Sequence, residues 1–151
     1  MKPLFLIFLA AVISCLGCSS DESSFDEPTI IFGHFFGECG GERCLETYML
    51  QGDSLFEDLN DSFDRSFNFS PLSAELFNQV SDLRTLIPDE LNELDGQIFG
   101  CPDCADAGGI YLQLVDQDDK VFTIDQDTNG LPEYLQIFVG QVNDRIALLP
   151  W

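Results

Sequence analysis

Basic residues are scarce in this 151-residue chain: six lysines and arginines stand against 27 aspartates and glutamates. Proteins that grip a phosphate backbone need a cationic stripe, so this balance excludes nucleic-acid binding and repels anionic lipid head groups. Histidine is nearly absent. His34 stands alone, among Phe32, Phe35 and Phe36, and reads as a hydrogen-bonded core residue rather than a general base. No Gly-x-Ser-x-Gly elbow occurs, and any Ser-His-Asp triad would have to use this one imidazole. A phosphate loop is missing too, because Gly37 to Gly41 has neither the spacing nor the lysine. Acid pairs at glycosidase spacing are guaranteed by number among 27 acids, so they select nothing. Internal repeats are absent. No apolar run reaches the ~20 residues a helix needs to cross a bilayer, and Leu4 to Ile13 has only ten. These absences point away from an enzyme.

That short run has another use. Met1-Lys2 followed by Leu4 to Ile13 has the n-region and h-region of an export signal, which is removed and takes no part in the fold. The stretch after it, Leu16-Gly17-Cys18, resembles the lipobox of bacterial lipoproteins, in which the cysteine is acylated and becomes residue one. Val12-Ile13-Ser14-Cys15 fits the same pattern; glycine before Cys18 and a polar, acidic tail after it favour Cys18. Ser19-Ser20-Asp21-Glu22 resembles the serine-acid signal of Gram-negative lipoproteins that reach the outer face of the outer membrane. The resemblance implies a membrane partner through a lipid anchor and a cell-surface location. Once the leader is gone, five basic residues against 27 acids leave a net charge of −22. Such a surface keeps a protein soluble, or attracts divalent cations or a basic protein partner.

The expected organisation is a leader over residues 1–17, a flexible acidic tether over 18–28 and one domain over 29–151. Serine and acid dominate the tether, which buries too little surface to order itself. Alternating apolar residues predict strands at Thr29 to Phe36, Cys44 to Leu50 and Leu55 to Asp58, with a hairpin turn at Gln51 to Ser54. Asn60 to Ser66 is polar and irregular. Ser70-Pro71 has the form of a helix cap and first position, and Leu72, Leu76, Val80, Leu83 and Ile87 make one apolar stripe. Pro88 interrupts it, and Asp89 to Leu94 adds a turn. Ile110 to Val115 and Val121 to Ile124 form a hairpin, and Pro132 opens a last helix with Leu135, Phe138, Val139, Val142, Ile146 and Leu149 on one side. Strands, helix, hairpin, helix: the order predicts an α+β fold, a mainly antiparallel sheet with two main helices on one face.

Four cysteines remain beyond Cys18: Cys39, Cys44, Cys101 and Cys104. In an oxidising compartment an even count reads first as disulfides. A four-cysteine zinc site is the alternative, since the paired spacings resemble zinc knuckles. A redox role for Cys101-Pro102-Asp103-Cys104 fails for want of a following helix to lower a thiol pKa. Three pairings are open. Chain entropy leans to bridges between the two loops, because closing ~60 residues stabilises by roughly 4 kcal/mol against about 2 for local pairs.

Asp125-Gln126-Asp127-Thr128-Asn129-Gly130 matches the first half of a calcium loop, with Asp125, Asp127 and Asn129 as oxygen ligands and Glu133 assisting. Gln136 stands where the bidentate glutamate belongs, so calcium there would be weakly held. The simpler reading is a strand-to-helix turn shaped by Asn129 and Gly130.

Taken together, Gly33 to Cys39, Cys101 to Gly109 and Leu131 to Leu135 resemble small, uncharacterised Gram-negative envelope lipoproteins over most of residues 29 to 149. That resemblance brings a lipidated cysteine and no activity. The expected function is a non-enzymatic, lipid-anchored surface domain that binds a molecule or shields the envelope. The alternative is a metal-binding module, through calcium at Asp125 to Gly130 or zinc at the cysteines.

Overall fold

The computed structural model describes residues 27–37, 39, 44–102, 104–115 and 119–150. The leader, Cys15, Cys18 and the tether as far as residue 26 lie outside the described residues. The two Ile- and Phe-rich or Tyr- and Leu-rich runs pair as their alternation predicts. Strand β1 (Thr29–Phe35) runs antiparallel to β2 (Leu45–Gln51), with Phe32 opposite Tyr48 and Gly33 opposite Thr47. Gly52, at φ 51°, and Asp53 make the tight turn into β3 (Ser54–Asp58), a left-handed position that glycine takes at little cost.

The next segment departs from expectation. Phe69–Pro71 is not a helix start but a strand, β4, pairing with β3 so that Pro71 faces Phe56. β4 is the outermost strand of the sheet, where the missing proline N–H leaves no partner unsatisfied. Helix α1 (Ala74–Val80) begins three residues later, and Ser73 rather than Ser70 caps it, its Oγ accepting the Leu76 N–H at 3.3 Å. The apolar stripe continues through α2 (Leu83–Leu86) and α3 (Asp89–Asn92), with Pro88 separating them. This broken helix carries the chain to the opposite edge, where β5 (Ile98–Phe99) pairs parallel with β7 (Lys120–Asp125). Two residues are too few to show a period, so β5 has no sequence signal. β6 (Gly109–Val115) inserts between β1 and β7, and α4 (Glu133–Ile146) closes the chain.

The fold is α+β: seven strands in the order β4-β3-β2-β1-β6-β7-β5, all neighbours antiparallel except β5 and β7. Ile30, Phe32, Tyr48, Leu50, Leu112 and Phe122 share one sheet face with the helices, and are buried together with Val80, Leu83, Leu135, Phe138 and Val142. Each such side chain contributes about 1.5–3 kcal/mol relative to exposure. Their neighbours along the strands, among them Ile31, Gly33, Phe35, Thr47 and Tyr111, point to the second face, because successive strand residues alternate.

The cysteines pair within their loops. Cys39 bonds Cys44 and Cys101 bonds Cys104, each with Cα atoms 5.4 Å apart. The pairing between loops expected from chain entropy is therefore wrong. A bridge needs Cα atoms within about 4.4–6.8 Å, and each local pair stands inside that range. Both loops lie at one end of the sheet, since Phe35 faces Leu45 in β2 and Gly109 in β6. No helix among the described residues is long and apolar enough to cross a membrane.

Candidate functional site

Tyr111, Gly33, Thr47 and Thr123 form one straight row across four strands, Thr47 facing Gly33, Gly33 facing Tyr111 and Tyr111 facing Thr123. All four point to the second face. Gly33 is needed because a Cβ there would run into the Glu46 carbonyl of β2, and its missing side chain leaves a gap between Thr47 and Tyr111.

Residues 59–68 cover this row. The Leu59 N–H donates to the Asn68 carbonyl at 3.1 Å, so the two feet of the segment meet as in an Ω-loop. Asp58, 3% exposed, fastens both feet: its Oδ1 accepts the N–H of Asn68 at 2.5 Å and of Asn60 at 3.3 Å. Inside the loop, Asn60 Nδ2 donates to the Ser66 carbonyl, and Asp64 accepts from Ser62 Oγ and the Ser66 N–H, both at 2.9 Å. Hydrogen bonds from Ser66, and then from Ser62, hold the Asp64 carboxyl below its usual range. Asp61 and Arg65 sit at φ 43° and 60°, left-handed positions that cost non-glycine residues on the order of 1–3 kcal/mol.

That backbone aims the Arg65 guanidinium onto the Tyr111 ring, 4.7 Å from its centroid. Phe67 packs beside it, 5.2 Å from Phe69 and 6.3 Å from Tyr111 between ring centroids. Between loop and sheet lies a cavity of about 130 Å³. Phe35, Leu45, Thr47, Tyr111 and Thr123 are its floor, and Ser62, Phe63, Arg65 and Phe67 its walls. Burial pushes the Tyr111 phenol up, against the pull of the Arg65 charge, and its hydroxyl donates to Gln113 Oε1 at 2.6 Å. The lining offers hydroxyls, aromatic faces and one guanidinium, but no carboxylate, imidazole or thiol.

The residues singled out from the sequence lie elsewhere. Asp125 closes β7 and is 9% exposed. Its Oδ2 accepts the Cys101 N–H at 2.8 Å and its Oδ1 the Asp127 N–H at 2.9 Å. Asp127 Oδ1 accepts the Asn129 N–H at 3.1 Å, and Gly130, at φ 84°, completes the turn. Glu133 is the first residue of α4. These carboxylates brace a strand-to-helix turn and the Cys101 loop. Among the described residues no three His, Cys, Asp or Glu side chains gather as a metal site. His34 faces Glu46 across β1 and β2, and burial lowers its pKa. Tyr48, two residues on from Glu46, donates to the Pro150 carbonyl at 2.7 Å with Glu46 Oε2 at 3.3 Å; burial and then the Glu46 charge push its phenol up. This buried group ties the chain end to the sheet.

Arg65, Phe63, Phe67 and Tyr111 are not legible as a site in the sequence. The available signal is compositional: Phe63, Phe67 and Phe69 flank a rare arginine in a stretch otherwise polar, and apolar rings in a polar loop have to pack on something. No protein-family model, curated protein or solved structure matches this chain.

Proposed function

We propose that this protein is an outer-membrane lipoprotein, anchored through Cys18 and facing the cell surface, whose folded domain binds a small molecule without transforming it. The observation that carries the binding role is the cavity between loop 59–68 and the second sheet face, walled by Phe63, Phe67 and Tyr111 and free of any base or nucleophilic thiol. A concave, mostly apolar space with a few converging polar groups is the usual form of a ligand site. The lipobox resemblance at Leu16-Gly17-Cys18 and the serine-acid tail support the anchor and the address. A metal role draws less support, because Asp125 already accepts two backbone N–H groups and Asp127 braces its own turn.

The anchor is tested by labelling cells with palmitate. Label should enter the chain, and Cys18→Ala should abolish it and leave unprocessed precursor. Label that survives Cys18→Ala but not Cys15→Ala would move the anchor to Cys15, and no label in the unaltered chain would overturn the lipoprotein reading. External protease on intact cells should digest the domain; protection until the outer membrane is broken would place it on the periplasmic face.

A further inference from the structure

We infer that the ligand is a small monocarboxylate with an apolar body the size of one ring, its carboxylate held by Arg65. This rests on the binding role proposed for the cavity and assigns the class of molecule it takes. The first ground is the state of the arginines. Arg84 pairs with Glu27 at 2.5 Å and Arg145 with Asp82 at 2.6 Å, while Lys120 Nζ donates to the Asn92 carbonyl at 2.6 Å. Arg84 and Arg145 thus each hold a carboxylate and Lys120 a carbonyl. Among the described residues Arg65 has no carboxylate partner. Its guanidinium rests on the Tyr111 ring, and the nearest acid in sequence, Asp64, is turned into the loop by Ser62 and Ser66. A ring contact uses no hydrogen-bond acceptor, so the guanidinium N–H groups remain able to fit a carboxylate two bonds at a time.

Size gives the second ground. A cavity of about 130 Å³ is close to the ~150 Å³ apolar cavity that accepts one benzene ring. An aromatic ring or a short branched chain fits between Phe67 and Tyr111, with its charged end at Arg65, which is exposed at the mouth. The third ground is the net charge of −22 once the leader is removed. That field repels anions at long range, so a single negative charge facing a single guanidinium is tolerated and a multiply charged ligand is turned away. Thr47 and Thr123 on the floor add hydroxyls for one more polar group on the ligand.

Benzoate and benzyl alcohol separate the charge from the ring, and both can be titrated calorimetrically into the full-length chain in detergent. Benzoate should bind at least tenfold more tightly than the neutral alcohol. Arg65→Gln should weaken benzoate by roughly ten- to a hundredfold, the range for a charge-assisted hydrogen bond, and leave benzyl alcohol within twofold; Arg65→Lys should recover part of the loss. Thr123→Phe, which fills the floor, should remove both ligands. Equal affinity for the two compounds, unchanged by Arg65→Gln but lost in Thr123→Phe, would overturn the carboxylate assignment and leave the cavity a binding site. Failure of both compounds to bind, or binding that survives Thr123→Phe, would overturn the role of the cavity itself.

Discussion

His34 and Glu46 face each other across β1 and β2 with 6% and 3% of their surfaces exposed, an unusual pair to bury on the helix side of a sheet. Burial holds the imidazole below its ordinary pKa of 6.5. The unfolded chain therefore takes up a proton near 6.5 that the folded chain resists. Stability is fully present above that value and falls as pH drops from it toward the folded pKa. The slope for one proton is at most about 1.4 kcal/mol per pH unit. Asp64 and Asp82, both held below the ordinary 3.8, act only at lower pH and leave this window clear. Urea unfolding between about pH 7.5 and 5.5 should lose stability in the unaltered protein, and His34→Gln should flatten the curve. Coincident slopes would show that this histidine does not carry the effect. The sequence reads this residue as core, and its burial on the helix face agrees. Its partner across the sheet is not legible there, because register is decided between strands.

The 59–68 loop is the element on which the site depends, and Asp58 is its fastening. Replacing Asp58 with alanine leaves the N–H groups of Asn60 and Asn68 without their acceptor, a loss of about 2–3 kcal/mol for hydrogen bonds to a charged group. Chemical denaturation should register that loss, and amide exchange at Asn60 and Asn68 should accelerate while the strands keep their protection. Asp58→Asn retains an oxygen in the same place and should recover more than half. Loss of protection throughout the sheet would mean that Asp58 supports the fold and not the loop. The elements themselves are unevenly legible. Strands β1, β2 and β6 announce themselves by alternation and α4 by its stripe. β4 is hidden by a Ser-Pro pair that is as good a helix start as an edge strand. Only pairing with β3 separates the two.

At the scale of the whole molecule, charge governs the response to ions. A net charge of −21 repels itself, and any divalent cation that screens it stabilises the compact form. Calcium and magnesium at about 2 mM should therefore raise the melting temperature alike. A specific calcium site at the 10⁻⁴–10⁻³ M end would add roughly 0.7 to 1.8 kcal/mol for calcium alone. Asp125→Ala combined with Asp127→Ala should lower both melting curves, since Asp125 accepts the Cys101 N–H, without changing the difference between the two ions. A calcium-specific shift that the double variant removes would restore Asp125 to Glu133 as a metal site.

The linear chain is enough for properties that depend on composition and on near neighbours. Hydrophobic period and turn residues act over a few positions, so the α+β class and the buried helix face can be read directly. Disulfide pairing and the site cannot. Cys39 to Cys44 and Cys101 to Cys104 are chosen by how each loop closes in space, where the entropy of a chain without structure favours the longer rings. The cavity joins Arg65 to Tyr111, 46 positions apart, and to Thr47 and Thr123 on two further strands. No local pattern encodes such a meeting. It exists because one sheet face is covered by helices and the other is left for a loop to cross.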